Sequence, residues 1–246
     1  MEPDKATVWE RIERPATAPR AVLSHAQIAA AAVELADAEG LDAVSMRKLA
    51  GRLGVAAMAL YRYVSSKEEL LELMVDAVHA DCGPLPDDPA VIGDWRKILR
   101  GMALQNRARI LRHPWLPKAT TQALTALTPN QLAGAQLVLT ALEPLGLDAD
   151  TAMAVVDTVA DYTHGATGRE VTLSQIMQRE GWQSPDDLRD AYAPHMIYLM
   201  STGRYPAFHR WVREAKRKDD AQWRFEFGLD CLLDGIAARL DLDTGS

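Results

Sequence analysis

Between Leu41 and Lys67, five basic side chains (Arg47, Lys48, Arg52, Arg62 and Lys67) stand against one acid, Asp42. The whole chain is acidic, with a formal net charge of −7. A basic patch on an acidic protein favours phosphate at one face and limits nonspecific attraction elsewhere. Tyr61 and Tyr63 are interleaved with these cations. An arginine guanidinium can bond both O6 and N7 of a guanine. The chemistry implied is nucleic-acid binding: phosphate neutralisation with some contact to base edges.

The elements that carry these side chains are legible around them. Ser24 is a good N-cap, because its hydroxyl can accept from an orphan amide of a first helical turn. Ile28, Ala32, Leu35 and Ala36 then recur at helical spacing, and Gly40 ends that helix. Ser45 caps a second helix with Met46, Leu49, Ala50 and Leu53 as its apolar stripe. Gly54 makes a tight turn, Val55 and Leu60 anchor a third helix, and Lys67-Glu68-Glu69-Leu70 opens a fourth. This is a helix-turn-helix pattern whose second member fits a DNA major groove. The side chains pointing outward are Arg47, Lys48, Arg52, Tyr61, Arg62, Tyr63 and Lys67.

At 246 residues and 48% hydrophobic content, the chain can fill two modest domains or one large one. No run of eighteen apolar residues is present, so no membrane span is expected. Cys82 and Cys231 lack metal-ligand spacing and read as reduced thiols of a cytoplasmic protein. Residues 1–22 hold three prolines and one aromatic, Trp9, and read as a flexible arm. Arg11, Arg14 and Arg20 would suit phosphate, but Glu2, Asp4, Glu10 and Glu13 cancel them together with Lys5.

Beyond Lys67 the pattern is helical almost throughout. Leu71, Met74, Val75 and Val78 share one face of the fourth helix. Cys82 to Pro89, with three prolines, breaks it and marks a domain boundary. Trp95, Ile98, Leu99 and Met102 start the next helix, and Pro129 starts one that runs through Leu142. Val155, Val156, Val159 and Ala160 line another, and Phe225, Leu229, Leu232, Leu233, Ile236 and Leu240 a last one. Residues 168–206 are mixed, with Gly181, Pro185, Pro194 and Pro206 as punctuation. The expected fold is all-α: an arm over 1–22, a helix-turn-helix domain over 23–82 and a larger helical domain over 90–242.

The segment resembles the DNA-binding domain of TetR-family transcriptional repressors. Ser-Met-Arg-Lys-Leu-Ala at 45–50, Leu-Gly-Val at 53–55, Leu-Tyr-Arg-Tyr-Val at 60–64 and Ser-Lys-Glu-Glu-Leu at 66–70 carry the resemblance. A weaker likeness to the tetracycline-repressor branch continues through Asp94-Trp95-Arg96 and Phe225 to Asp230. The resemblance implies that Arg47 reads a base and that Ser45 and the Met46 backbone meet phosphate at a helix N-terminus. It puts Ala57, Met58 and Ala59 at the groove-facing start of the recognition helix. It puts Tyr61, Tyr63 and Lys67 at backbone contacts, with Arg62 reaching base or phosphate and Lys48 beside Arg47. The polar base readers of the branch are missing at 57–59, where only apolar contact is available.

The family also implies a homodimer on a palindromic double-stranded operator, with helices at 150–166 and 222–240 forming the dimer bundle. It implies a small-molecule effector, and a fourth helix (about Lys67 to Asp81, with His79 near its end) linking effector site to DNA. Effector-contact candidates are Met102, Gln105, Asn106, Arg109, His113, Trp115, Gln136, Tyr162 and His164. Met102 and Asn106 replace the asparagine and phenylalanine of the tetracycline branch, and its magnesium-chelating histidine has no match. Neither tetracycline, a metal nor another cofactor is expected. A regulator controlled by a protein partner, or an activator, is the alternative. Catalysis is not expected: there is no Gly-rich phosphate loop, no His-Glu-x-x-His and no nucleophile elbow. The paired carboxylates Asp186-Asp187 and Asp219-Asp220 stand in polar stretches.

Overall fold

A computed structural model describes residues 7–13, 23–80, 94–122 and 128–242. The expectations for Arg14, Arg20, Asp81, Cys82 and the proline-rich break lie outside the described residues. Among those described, the structure is helical and contains no strand. No described helix is long and apolar enough to cross a membrane. The chain divides into two compact units, Met1–Val156 and Asp157–Ser246.

The first unit opens with a short helix, α1 (Val8–Glu13). The flexible-arm expectation therefore does not hold for these six residues. Val8 is buried, and Arg11 Nη2 donates to Glu69 Oε2 at 2.7 Å. An apolar contact and an ion pair supply what the polar composition of the arm concealed. Helix α2 (His25–Glu39) starts on a capping box: the Ser24 hydroxyl accepts from the Gln27 amide, and the Gln27 side chain accepts from the Ser24 amide. Ile28, Ala32 and Leu35 lie fully inside.

Helix α3 (Met46–Leu53) is capped by Ser45, whose hydroxyl accepts from the Lys48 amide. Gly54 ends it in the left-handed region at φ +67°, letting the Val55 amide reach back to Ala50 O at 3.0 Å. A side chain there would be strained. Helix α4 (Ala57–Leu60) is shorter than the pattern implied. Its cap, Ala56, has no side chain to accept a first-turn amide. Residues Tyr61 to Tyr63 continue as a hydrogen-bonded turn, with Tyr63 and Val64 amides donating to Leu60 O. Helix α5 (Lys67–Ala80) follows and buries Leu70, Leu71, Leu73, Met74, Val75 and Val78.

Helices α6 (Trp95–Arg112), α7 (Leu116–Gln122) and α8 (Pro129–Leu142) complete this unit, with α6 capped by Asp94. The packing explains why the compact division falls at Val156 and not at the 82–90 break. Helix α5 packs on α2 and also on α7 and α8, so the DNA-binding helices and the following layer share one core. The long helix α9 (Ala149–Glu180) runs through the division.

The second unit contains most of α9, then α10 (Pro185–Ser201), α11 (Pro206–Glu214) and α12 (Ala221–Leu240). Residues 168–180, expected to be mixed, continue α9 to a stop at Gly181, φ +73°. Pro194, expected as punctuation, lies inside α10. It forfeits one backbone hydrogen bond without ending the helix. Asp220 caps α12 by accepting from the Trp223 amide at 2.8 Å. Tyr162 on α9 crosses α12 where Gly228 leaves room; a Cβ there would lie 2.3 Å from the phenol oxygen.

Candidate nucleic-acid interface

The two helices of the interface, α3 and α4, pack on one another across Gly54, and α3 also packs on α2. Leu49, Ala50, Leu60 and Val64 hold them from the inside. The outer surface is then set by the residues between these anchors. Ser45, Arg47, Lys48, Tyr61, Arg62 and Lys67 are exposed, and Met46, Ala57, Ala59 and Tyr63 are half-buried. Met58 is 74% exposed, the highest value among the large apolar side chains described, on the first turn of α4. Such exposure of a thioether costs hydration and fits a surface that meets an apolar base edge.

The cations of this face are not equivalent. Lys48 pairs with Glu39, and Arg52 with Glu34 at 3.1 Å, both carboxylates lying on α2. Arg47 and Arg62 enter no ion pair among the described residues. Exposed pairs contribute little to stability, so Lys48 and Arg52 can exchange carboxylate for phosphate at small cost. Arg47 and Arg62 have no such pair to give up.

The turn behind the recognition helix is braced from within. His25 Nε2 lies 3.1 Å from Tyr63 O, and its ring meets the Tyr63 ring edge-on at 5.5 Å. Burial and the nearby Arg11 guanidinium lower the His25 pKa below 6.5, against the opposing pulls of the Tyr63 carbonyl and Glu69. Glu69 accepts from the Ser65 amide at 2.8 Å as well as from Arg11. Burial raises its pKa, but these hydrogen bonds outweigh burial and the net shift is downward. The Ser65–Ser66 turn ahead of Lys67 is thereby tied to α1.

The effector candidates are divided between the two units: Met102 to Gln136 lie in the first, and Tyr162 and His164 in the second. Met102, Gln105 and Asn106 are half-buried on α6. Arg109 Nε donates to Val78 O at the end of α5, and its Nη1 to Asn106 Oδ1. His113 and Trp115 are 6% and 5% exposed, and both donate to the Asp37 carboxylate on α2. Gln136 is exposed and donates to Thr140 on its own helix. Tyr162 donates to Phe225 O at 2.7 Å, and its pKa is raised by burial. His164 is exposed, and its Nδ1 donates to Ala160 O of its own helix. His79, read as a reporter, directs Nδ1 to Val75 O within α5.

Sequence reasoning missed Asp37, Asp76 and Asn130. Asn130 donates from its amide and from Nδ2 to the Asp76 carboxylate, at 2.8 and 2.7 Å. Local pattern contains no signal for pairs 54 and 76 residues apart. It also missed an open groove of about 470 Å³ in the second unit, lined by Leu173, Met177 and Trp182 with Glu170, Gln178 and Gln183 at its edges. Among the described residues, no cluster of histidine, cysteine and acid side chains could hold a metal.

Comparison with known proteins agrees with this architecture. Residues 28–74 match the family model described as bacterial regulatory proteins, tetR family. Residues 85–240 match the one described as tetracyclin repressor-like, C-terminal domain. The HTH-type transcriptional repressor DrrR1 of Streptomyces coeruleorubidus is 34% identical, over 93% of this chain and 83% of that protein. An HTH-type transcriptional regulator of Saccharopolyspora erythraea is 31% identical, over 96% of this chain and 93% of that one. The crystal structure of the Streptomyces coelicolor TetR family protein ActR in complex with actinorhodin superposes with a TM-score of 0.69 at 26% identity, covering 89% of this chain and 97% of that one. With a helix-turn-helix head, a larger helical domain and both family models matched along its length, the chain belongs to the TetR family of DNA-binding transcriptional regulators.

Proposed function

We propose that the protein is a repressor that sits as a homodimer on a palindromic operator and leaves it when a small hydrophobic ligand binds. The observation that carries the DNA half of this reading is the head itself. Arg47 and Arg62 stand exposed and without an ion pair among the described residues, beside the 74%-exposed Met58. DrrR1 bears the name of a repressor, which supports repression, and ActR was crystallised with actinorhodin, which supports a small-molecule ligand. The two-fold arrangement follows from reading length, since one head covers too few base pairs for selectivity. Helices α9 and α12 are the proposed dimer surface.

Arg47 carries the hydrogen-bonded readout, and Ala57, Met58 and Ala59 contribute apolar contact to thymine methyls. Footprinting on operator DNA tests this. Arg47→Ala should weaken protection by about 1–3 kcal/mol, roughly 5- to 150-fold, at one dominant G·C position per half-site. Equal protection by the variant overturns the assignment of Arg47.

Control by a protein partner is the second reading. It is favoured by one observation: the side chains of Arg109, His113 and Trp115 are engaged by Val78 O and by the Asp37 carboxylate within the first unit. Calorimetric titration of the purified protein with actinorhodin separates the two. Saturable binding that lowers operator affinity supports the sensor.

A further inference from the structure

Several polar links among the described residues join the DNA-binding helices to the layer behind them, and one differs from three others. Lys118 pairs with Asp42 in the exposed turn after α2, at 2.7 Å. Asn130 holds Asp76, and Arg109 holds Val78 O, both on α5. The fourth joins α2 to the junction of α6 and α7. Asp37 Oδ1 accepts from His113 Nδ1 at 2.8 Å and from Trp115 Nε1 at 2.6 Å, while Oδ2 lies 3.1 Å from the same imidazole nitrogen. The two rings are buried and tilted against each other, with centroids 5.7 Å apart.

We infer that this clasp is the latch that fixes the angle of each DNA-binding head, and so the half-site spacing the protein accepts. Asp37, His113 and Trp115 are its positioning residues. The inference rests on the operator-bound dimer proposed above. An indole N–H is a donor only, so the Asp37 carboxylate is the partner that Trp115 needs once buried. A carboxylate holding two buried donors has discrete arrangements, made or broken, and does not slide. His113 is also the cap of α6, its amide bonded to Arg109 O at 2.8 Å. The clasp therefore anchors α2 to the end of the helix that carries Met102, Gln105 and Asn106. Seven residues of rigid helix, about 10 Å, separate Asn106 from the latch. The exposed Lys118–Asp42 pair lacks this burial and follows whatever angle the clasp sets.

The test begins with a palindrome selected from random duplex DNA by the wild-type protein. Affinities are then measured for that operator and for versions with the half-sites one base pair closer or further apart. Asp37→Ala should bind the selected operator roughly tenfold or more weakly, as loss of charged hydrogen bonds from two buried rings implies. Its preference for the original spacing should shrink towards none. Trp115→Phe keeps the ring and loses one donor, so it should show the same change at smaller size and serves if Asp37→Ala folds poorly. Lys118→Ala should match wild type. Folded Asp37→Ala or Trp115→Phe protein with wild-type affinity and spacing preference overturns the latch. A wild-type protein that selects no palindrome overturns the operator reading on which it depends.

Discussion

The two units solve the same packing problem differently. In Met1–Val156, helices far apart in sequence are cross-linked by polar contacts, among them Asp37 to His113 and Trp115, Asp76 to Asn130 and Arg11 to Glu69. Their apolar faces are covered, with Ile28, Leu49, Leu60 and Met74 at 0% exposure. In Asp157–Ser246, helices α10 and α11 contribute no buried residue, and Ile197, Tyr198, Phe208 and Trp211 stand open. The difference is one of closure: the first unit closes on itself around the reading head, and in the second two helices leave apolar side chains open to solvent.

Matched cuts in the two cores give the strongest test of that division. Leu60 and Leu229 are both at 0% exposure, and replacing either by Ala should cost roughly 2–5 kcal/mol. Leu60→Ala should lower operator binding with stability. Leu229→Ala should leave amide protection in α3 and α4 unchanged by hydrogen exchange. Loss of protection there would mean that the units unfold as one and would break the comparison.

A smaller effect probes the join within the second unit. Gly228→Ala sets a methyl against the Tyr162 phenol, which must leave its bond to Phe225 O. Thermal unfolding should show a loss of about 1–3 kcal/mol. Adding Tyr162→Phe should recover part of it, a coupling that a double-mutant cycle measures.

Acid should act on the first unit through His25. Its pKa is lowered by burial, so the unfolded chain takes up its proton first as pH falls. Stability from this group is complete above its ordinary value of 6.5 and declines below it, towards the lowered folded value. Melting between about pH 7.5 and 5.5 should show a decline that His25→Gln reduces. The smallest effect is expected at Arg189, whose exposed pairs with Asp186 and Asp219 belong to the second unit; Arg189→Ala should leave the melting temperature unchanged.

Much of the fold was legible because its signals are local. Ser24 and Ser45 were readable as caps, and Gly40 and Gly54 as stops, since each acts on amides within a few residues. Helix α8 was predicted over Pro129 to Leu142, the range the structure shows. The outward side chains of the head were legible for the same reason: apolar anchors at Leu49, Leu60 and Val64 leave Arg47, Tyr61 and Arg62 exposed. Charge composition misled at the arm, where Val8 and Arg11 found partners the sequence did not name. The sequence pattern also hid the length of α9, whose residues 168–180 were expected to be mixed and continue the helix.

The sequence by itself determined that the chain is helical, that it carries a reading head and which side chains that head presents. Only the tertiary structure decided that His113 and Trp115 face Asp37, that Tyr162 lies over Gly228 and that α5 shares one core with helices on both sides. Caps and stripes are fixed by interactions a few residues long, and periodicity records them. A buried donor finds its acceptor across 76 residues only once the helices between have packed, and no local pattern encodes that meeting.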